Sequence, residues 1–308
     1  MYFCYRKRVN TVELKQLKYF MHVAELGSYT RAAEVIDVAQ PVLSRQIRQL
    51  EIELRQNLLI RHGRGVVLTD SGRTLLKHVN IIMDQIDEAY EDLSLSDGKL
   101  AGHITIGLPP TVAKLIAIDL VRAFKQRLPL AHLTIEEGLT VHIEENLGLG
   151  RMDIGLLNNP TFSPNIDTKL IIEEELYLIA KKGYFPHQPE CMDLKELAAI
   201  PLIMPTLPNP FRVLVQAQMA EIGLKPQIDW EINSVGTIVK LVNEGVGCAV
   251  LSKYCLGLVK DGDNMEAIRI QNPALVNRLY VGYSAIRATT RLQKEMLQLV
   301  EEECQRYF

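Results

Sequence analysis

Apolar residues at Leu14, Leu17, Phe20, Met21 and Ala24 recur at helical spacing and stop at Gly27, which predicts a first helix over this stretch. From Thr30 to Leu54 the pattern splits in two. Ala32, Ala33 and Ile36 give one short helix a small-residue face, and Ser28 or Thr30 can cap it. Pro41 lacks an N–H and has a fixed φ, so it suits the first turn of the next helix. Along that helix Leu43, Ile47, Leu50 and Leu54 fall four, three and four apart, forming one apolar stripe. Two helices with these faces can cross closely at a steep angle, as in a helix-turn-helix.

Leu58, Leu59 and Ile60, then Val66, Val67 and Leu68, predict two short strands around the turn His62-Gly63-Arg64-Gly65, a wing beside the two helices. A long helix is expected from Ser71 to about Ser96 and closes at Ser96-Asp97-Gly98. Its Leu76, Val79, Met83, Ile86, Tyr90 and Leu93 alternate three and four apart, as the seam of a coiled coil does. At ~1.5 Å per residue it would be about 40 Å long with no partner helix next to it in sequence, which favours the same helix of a second chain. The competing reading is a core helix of a larger bundle.

From residue 102 strands and helices alternate. Apolar runs at 103–108, 132–137, 153–158, 176–181, 201–205, 227–232, 248–252 and 278–283 read as strands, with helices between most of them. This predicts parallel sheets covered by helices, in two lobes of about 80–100 residues each. Short crossings near 158–177 and 270–278 would return the final helix, 289–307, to the first lobe. The boundaries expected are an extension at 1–12, a winged domain at 13–70 and a linker helix at 71–98. A sensor at 102–308 follows, with lobe I at 102–176 and 276–308 and lobe II at 177–275.

Composition changes the picture in one respect. The 308 residues are 47% hydrophobic and 23% charged, and the net charge is −3. Divided at His78, however, the first part carries 13 basic and 7 acidic residues and the remainder 21 and 30. A basic head on an acidic body is expected where one domain alone meets phosphate. No run approaches ~18 uninterrupted apolar residues, so no membrane span is expected. Residues 1–12, with Arg6, Lys7 and Arg8, have no apolar stretch behind them and read as an unstructured extension rather than a secretory signal. A phosphate-touching arm is the alternative. The five cysteines are scattered without a C-x-x-C pair, which points to a reducing cytoplasm with neither a disulfide framework nor a structural zinc.

The candidate chemistry follows from the second helix. Gln40 and Pro41 lead it, and Val42, Ser44, Arg45 and Arg48 lie off its apolar stripe. Arginine can fork onto guanine O6 and N7 or pair with phosphate, and serine can do either more weakly. With Thr30 from the preceding helix and Arg61 and Arg64 on the wing, these are the candidate contacts to double-stranded DNA. A helical hairpin with a solvated basic face is the alternative. No G-x-S-x-G, P-loop, G-x-G-x-x-G after the first sensor strand, or metal-spaced histidine cluster occurs, so neither enzyme chemistry nor a cofactor is expected. A lone solute-binding protein, or an effector sensor without gene-specific regulation, would account for residues 102–308 but leaves the first hundred without a purpose.

Four segments carry a resemblance. LKQLKYFMHVAELGSYTRAAEVIDVAQPVLSRQIRQLE, IRHGRGVVLTDSG, EEELYLIAKK and EGVGCAVLS resemble the LysR-type bacterial transcriptional regulators over residues 13–308. Within that family the chain looks most like the branch of the nitrogen assimilation control regulator. The resemblance implies an all-α winged helix-turn-helix, a dimerising linker helix, and a two-lobed α/β sensor like a periplasmic binding protein. It also implies homodimers or homotetramers on promoter DNA, responding to a small-molecule effector held between the lobes. Carried over position by position, that cleft would be lined by Pro110, Thr111, Val112, Leu139, Thr140, Thr206, Ser234 and Val235, with Arg212 as a nearby cation. Hydroxyls and helix-start N–H groups suit a small carboxylate or other anion. Arg55 stands where the family usually has glycine, so the helix is expected either to run on or to meet the wing differently.

Overall fold

The computed structural model describes residues 12–63, 65–94, 100–187, 189–258, 264–285 and 289–308. The chain folds as two compact units, the first of which takes in the chain up to Ser94 together with Leu149–Arg151. That first unit comprises α1 (Leu14–Leu26), α2 (Tyr29–Val35), α3 (Gln40–Leu54), β1 (Leu59–His62), β2 (Gly65–Leu68) and α4 (Asp70–Ser94).

Local chemistry explains the boundaries. Glu13 and Gln16 form a reciprocal capping box at the start of α1, and Gly27 ends the helix in the left-handed region at φ 59°. Ser28, not Thr30, caps α2, its side chain accepting from Arg31 N–H, while Thr30 sits inside the helix with its side chain exposed. Arg55 takes the left-handed cap at φ 54° and ψ 36°, so α3 stops where a glycine would stop it and does not run on. Leu43, Ile47 and Leu50 of the α3 stripe are fully buried with Phe20, Val23, Leu76 and Val79. Each such side chain contributes roughly 1.5–3 kcal/mol through burial. Gly72 in α4 faces the Leu58 carbonyl so closely that a Cβ there would collide with it.

The phase of the α4 seam differs from the expectation. Leu76, Val79 and Met83 belong to the core of their own chain, packed with α1 and α3, and are not a free dimer seam. A three-four spacing marks one buried face without saying which chain buries it. Ile86 is half-buried, and the side chains of Tyr90 and Leu93 lie outside the described residues, as do Arg64, Ser96-Asp97-Gly98 and residues 1–11. Ile82, which lies off the predicted seam, is exposed.

The second unit is a two-lobed α/β structure. In lobe I the sheet order is β4-β3-β5-β12-β6, from β3 (Ala101–Leu108), β4 (Leu130–Glu137), β5 (Ile154–Asn158), β6 (Ile166–Lys181) and β12 (Val276–Ser284). α5 (Pro110–Arg127) and α9 (Arg291–Tyr307) pack on this sheet through Ile116, Leu120, Met296 and Val300. α6 (Thr140–Leu149) contributes Ile143 and Leu147 to a separate small core. In lobe II the second part of β6 pairs with β10 (Ala249–Ser252) and β11 (Met265–Gln271), and β11 pairs with β7 (Cys191–Asp193). β8 (Leu202–Met204) and β9 (Ile228–Glu231) form a parallel pair, and α7 (Pro210–Glu221) and α8 (Val235–Glu244) pack in the same core.

These sheets are mixed, not purely parallel as expected. β3, β4 and β5 are parallel, but β12 runs against both β5 and β6, and β10 and β11 run against β6. The expected crossings are strands as well. β6 is one sixteen-residue strand whose first part belongs to lobe I and whose last six residues belong to lobe II. Glu173-Glu174-Glu175 hides it in sequence, because consecutive acids are poor strand formers. Here they have partners across the ladder: Glu173 meets Arg278 at 2.6 Å and Glu175 meets Arg269 at 2.7 Å.

Candidate nucleic-acid interface and effector cleft

α3 turns two different faces outward and inward. Val42, Arg45 and Arg48 are exposed and Ser44 is half-buried, while Leu43, Ile47 and Leu50 are fully enclosed. Pro41 is exposed in the first turn and Gln40 half-buried before it. Arg48 stands 3.8 Å from Glu51, a loose surface pair that leaves the guanidinium available. Glu51 itself is occupied, since one carboxylate oxygen accepts from Leu58 N–H at 2.9 Å and so fixes the start of β1.

Arg61 is not at the tip of the wing. It is a β1 residue paired with Val66, its guanidinium lying 4.5 Å from the centre of the Tyr29 ring and donating through Nη2 to Ser44 Oγ at 2.8 Å. The wing is also tied to α1, with Val66 N–H donating to the Gly27 carbonyl at 2.9 Å. Arg61 thus joins strand, α2 and α3.

A cleft of about 500 Å³, counting the solvent at its mouth, opens in the second unit. One wall comes from the starts of α5 (Pro110, Thr111) and α6 (Leu139, Thr140) and from Asn158 at the end of β5. The opposite wall comes from the start of α7 (Asn209, Phe211), from Asn233, and from Val235 and Ile238 of α8. Chain segments ending strands and beginning helices converge here, as the α/β arrangement dictates.

Five of the expected lining residues are in the wall: Pro110, Thr111, Leu139, Thr140 and Val235. Four are elsewhere. Val112 points into the lobe I core, one residue too far round the first turn of α5. Thr206 is turned to Asn233, donating from both N–H and hydroxyl to its Oδ1. Ser234 is the N-cap of α8, accepting from Thr237 N–H. Arg212 is buried and bound, with Nη1 donating to the Pro205 carbonyl at 3.3 Å and Nη2 to Glu231 at 3.2 Å, so it supplies no cation to the cleft. Sequence reading missed Asn158, Asn209, Phe211, Asn233 and Ile238. The last residue of a predicted strand and the residue before a helix-starting proline would have pointed to Asn158 and Asn209.

None of the described lining residues is charged. The buried thiols of Cys248, Cys255 and Cys304 are pushed up to about 12 by burial, which keeps them protonated and unreactive. No group of three or more His, Cys, Asp or Glu among the described residues is placed to hold a metal ion. No described helix is long and apolar enough to cross a membrane.

Residues 14–73 match the family profile of the bacterial regulatory helix-turn-helix protein, lysR family, and residues 97–305 match that of the LysR substrate binding domain. The chain belongs to the LysR family. It is 30% identical over 275 residues to the nitrogen assimilation regulatory protein nac of Klebsiella aerogenes, covering 89% of each chain. Among solved structures it is similar to full-length OxyR from Pseudomonas aeruginosa, with a TM-score of 0.75, 21% identity, and 95% and 94% of the two chains covered. It is also similar to full-length CbnR in complex with its target DNA, with a TM-score of 0.63, 22% identity, and 96% and 100% covered. This LysR-type chain is therefore a transcriptional regulator with a helix-turn-helix domain and a two-lobed effector-binding domain.

Proposed function

We propose that α3 enters the major groove of double-stranded promoter DNA, where Arg45 reads base edges and Arg48 holds phosphate. Val42 and Ser44 complete the reading face, and Thr30, Gln40 and Pro41 lie at its margin. The observation that carries this reading is the two-sidedness of α3: Arg45 and Arg48 are exposed on a helix whose opposite stripe is fully enclosed. Arg61 contributes by holding the wing against α3 rather than by reaching the duplex.

The chain works as a cytoplasmic homodimer or homotetramer and is not an enzyme. The dimer contact uses the outward face of α4, on which Ile82 and Ala89 are exposed seven residues apart. A small effector occupies the cleft and favours one arrangement of the assembly, since a ligand with equal affinity for both would shift neither. With Arg212 bound elsewhere, an anionic effector would be held by helix starts and by hydroxyl and amide groups.

The test is a salt-dependent titration of the full-length protein against DNA upstream of its own gene, with and without a panel of small carboxylates. Tight binding altered by one of them supports both halves of the reading. Arg45→Ala should weaken the cognate site more than random DNA, whereas equal losses with a lower salt slope would make Arg45 a phosphate contact. No specific binding would return the chain to the solute-sensor alternative.

A further inference from the structure

Three asparagines face the cleft, and the hydrogen bonds behind each fix which end of the amide looks into it. A backbone N–H can only donate, so an asparagine receiving one must turn its oxygen toward it. Asn209 Oδ1 accepts from Phe211 N–H at 2.9 Å and from Arg212 N–H at 3.4 Å. Asn233 Oδ1 accepts from Thr206 N–H at 2.9 Å and from its hydroxyl at 2.6 Å. The oxygens of both are therefore taken, which leaves the NH2 group of each to meet a ligand.

Asn158 is fixed through a longer chain. Arg278 N–H donates to Asn159 Oδ1 at 3.0 Å, which obliges Asn159 Nδ2 to donate to Asn277 Oδ1 at 2.9 Å. From the other end, the Glu174 carboxylate is an acceptor, and Asn277 Nδ2 donates to its Oε1 at 2.9 Å. Ser252 holds the second oxygen of Glu174 at 2.6 Å. Fully buried Asn277 is thus oriented from both sides, and its remaining hydrogen goes to Asn158 Oδ1 at 2.9 Å. Asn158 must then present its NH2 away from that bond. Thr140 supports the same face, since its hydroxyl accepts from Asn158 N–H at 3.0 Å and so holds the Asn158 backbone, with its own proton left to donate.

We infer that the three asparagine amides face the cleft as donors only, built for a ligand that offers acceptors there, such as a carboxylate or other oxyanion, and that they turn away ammonium groups. This rests on the reading of the cleft as the effector site and deepens it: Asn158, Asn209 and Asn233 determine specificity. An unpaired buried donor facing a ligand donor forfeits a hydrogen bond on each side, which discriminates by roughly tenfold or more per group.

The test uses full-length protein labelled with 15N at asparagine, so that the side-chain amides of the three residues report directly, and two matched probes, propionate and propylammonium. Propionate should shift all three amides and propylammonium none. Asn158→Asp keeps the acceptor for Asn277 but turns an anionic oxygen toward the cleft. It should weaken propionate by on the order of tenfold and admit propylammonium. If propylammonium moves the wild-type amides as strongly as propionate, the donor-only inference falls while the cleft remains a binding site. If neither probe moves them, the cleft reading and this inference fall together. The wild-type titration separates these outcomes by itself, even should the variant not fold.

Discussion

Arg61 Nη2 donates to Ser44 Oγ at 2.8 Å, so a wing arginine is committed to the helix beside it. The Tyr29 ring beneath the guanidinium adds a cation–π contact. Arg61→Ala should loosen the β1–β2 hairpin by about 1 kcal/mol, read as a roughly fivefold loss of amide-exchange protection at Ile60 and Val67. Arg45→Ala should leave those amides unchanged. Equal protection in both variants would mean that Arg61 is free to swing toward DNA.

Asp153 is governed by burial, which pushes its carboxyl up to about 6 against the opposing pull of Thr105 N–H at 2.7 Å. A raised carboxyl favours the folded state fully below about pH 4 and loses that contribution as pH rises through about 6. Asp153→Asn removes the dependence. The variant should therefore gain on the wild type between pH 4 and pH 7 by on the order of 3 kcal/mol, measured from urea midpoints at both values. A constant difference across that range would contradict the burial account.

Arg55 holds a left-handed backbone at φ 54° without the freedom of glycine. Arg55→Gly should raise the stability of the helix-turn-helix domain by up to about 1 kcal/mol, because only the side-chain clash in that region is relieved. Thermal unfolding of the two proteins decides it, and a lower midpoint for the glycine variant would show that the arginine side chain contributes more than its backbone costs.

Met83 and Ile82 are neighbours on α4 with opposite expectations. Met83→Glu buries a charge in the domain core and should unfold the helix-turn-helix domain. Ile82→Glu places the charge on an exposed position and should preserve the fold while lowering the sedimentation coefficient. An unchanged assembly in the Ile82 variant would remove the outward face of α4 from the dimer contact.

The helix-turn-helix was legible because its signals are local: the α3 stripe, Pro41 in the first turn and Gly27 at the close all act within a few residues. The sensor was legible only as an alternation. Direction was lost, since apolar runs read the same whether a strand runs parallel or antiparallel, and the part of β6 before residue 176 was lost behind Glu173-Glu174-Glu175, where the partners Arg269 and Arg278 stand about a hundred residues away. Arg212 misled for a related reason. Residue type advertises a free cation, while Glu231 and the Pro205 carbonyl decide that it is a bound one. The orientation of Asn158 was wholly beyond the sequence, because it depends on Asn159 just after β5, Glu174 of β6 and Asn277 of β12 meeting around it.

Because β6 carries the chain out of lobe I and β12 carries it back, with Glu175 paired to Val276, lobe II is an insertion whose two ends lie one strand spacing apart. Zipping β6 to β12 thus means closing a loop of about a hundred residues, an entropic cost that falls sharply once those residues have already collapsed. Lobe II is therefore expected to fold first and to act as the clamp that allows the lobe I sheet to complete. Destabilising its core, for example with Val239→Ala, should then slow refolding of a lobe that the substituted residue does not belong to.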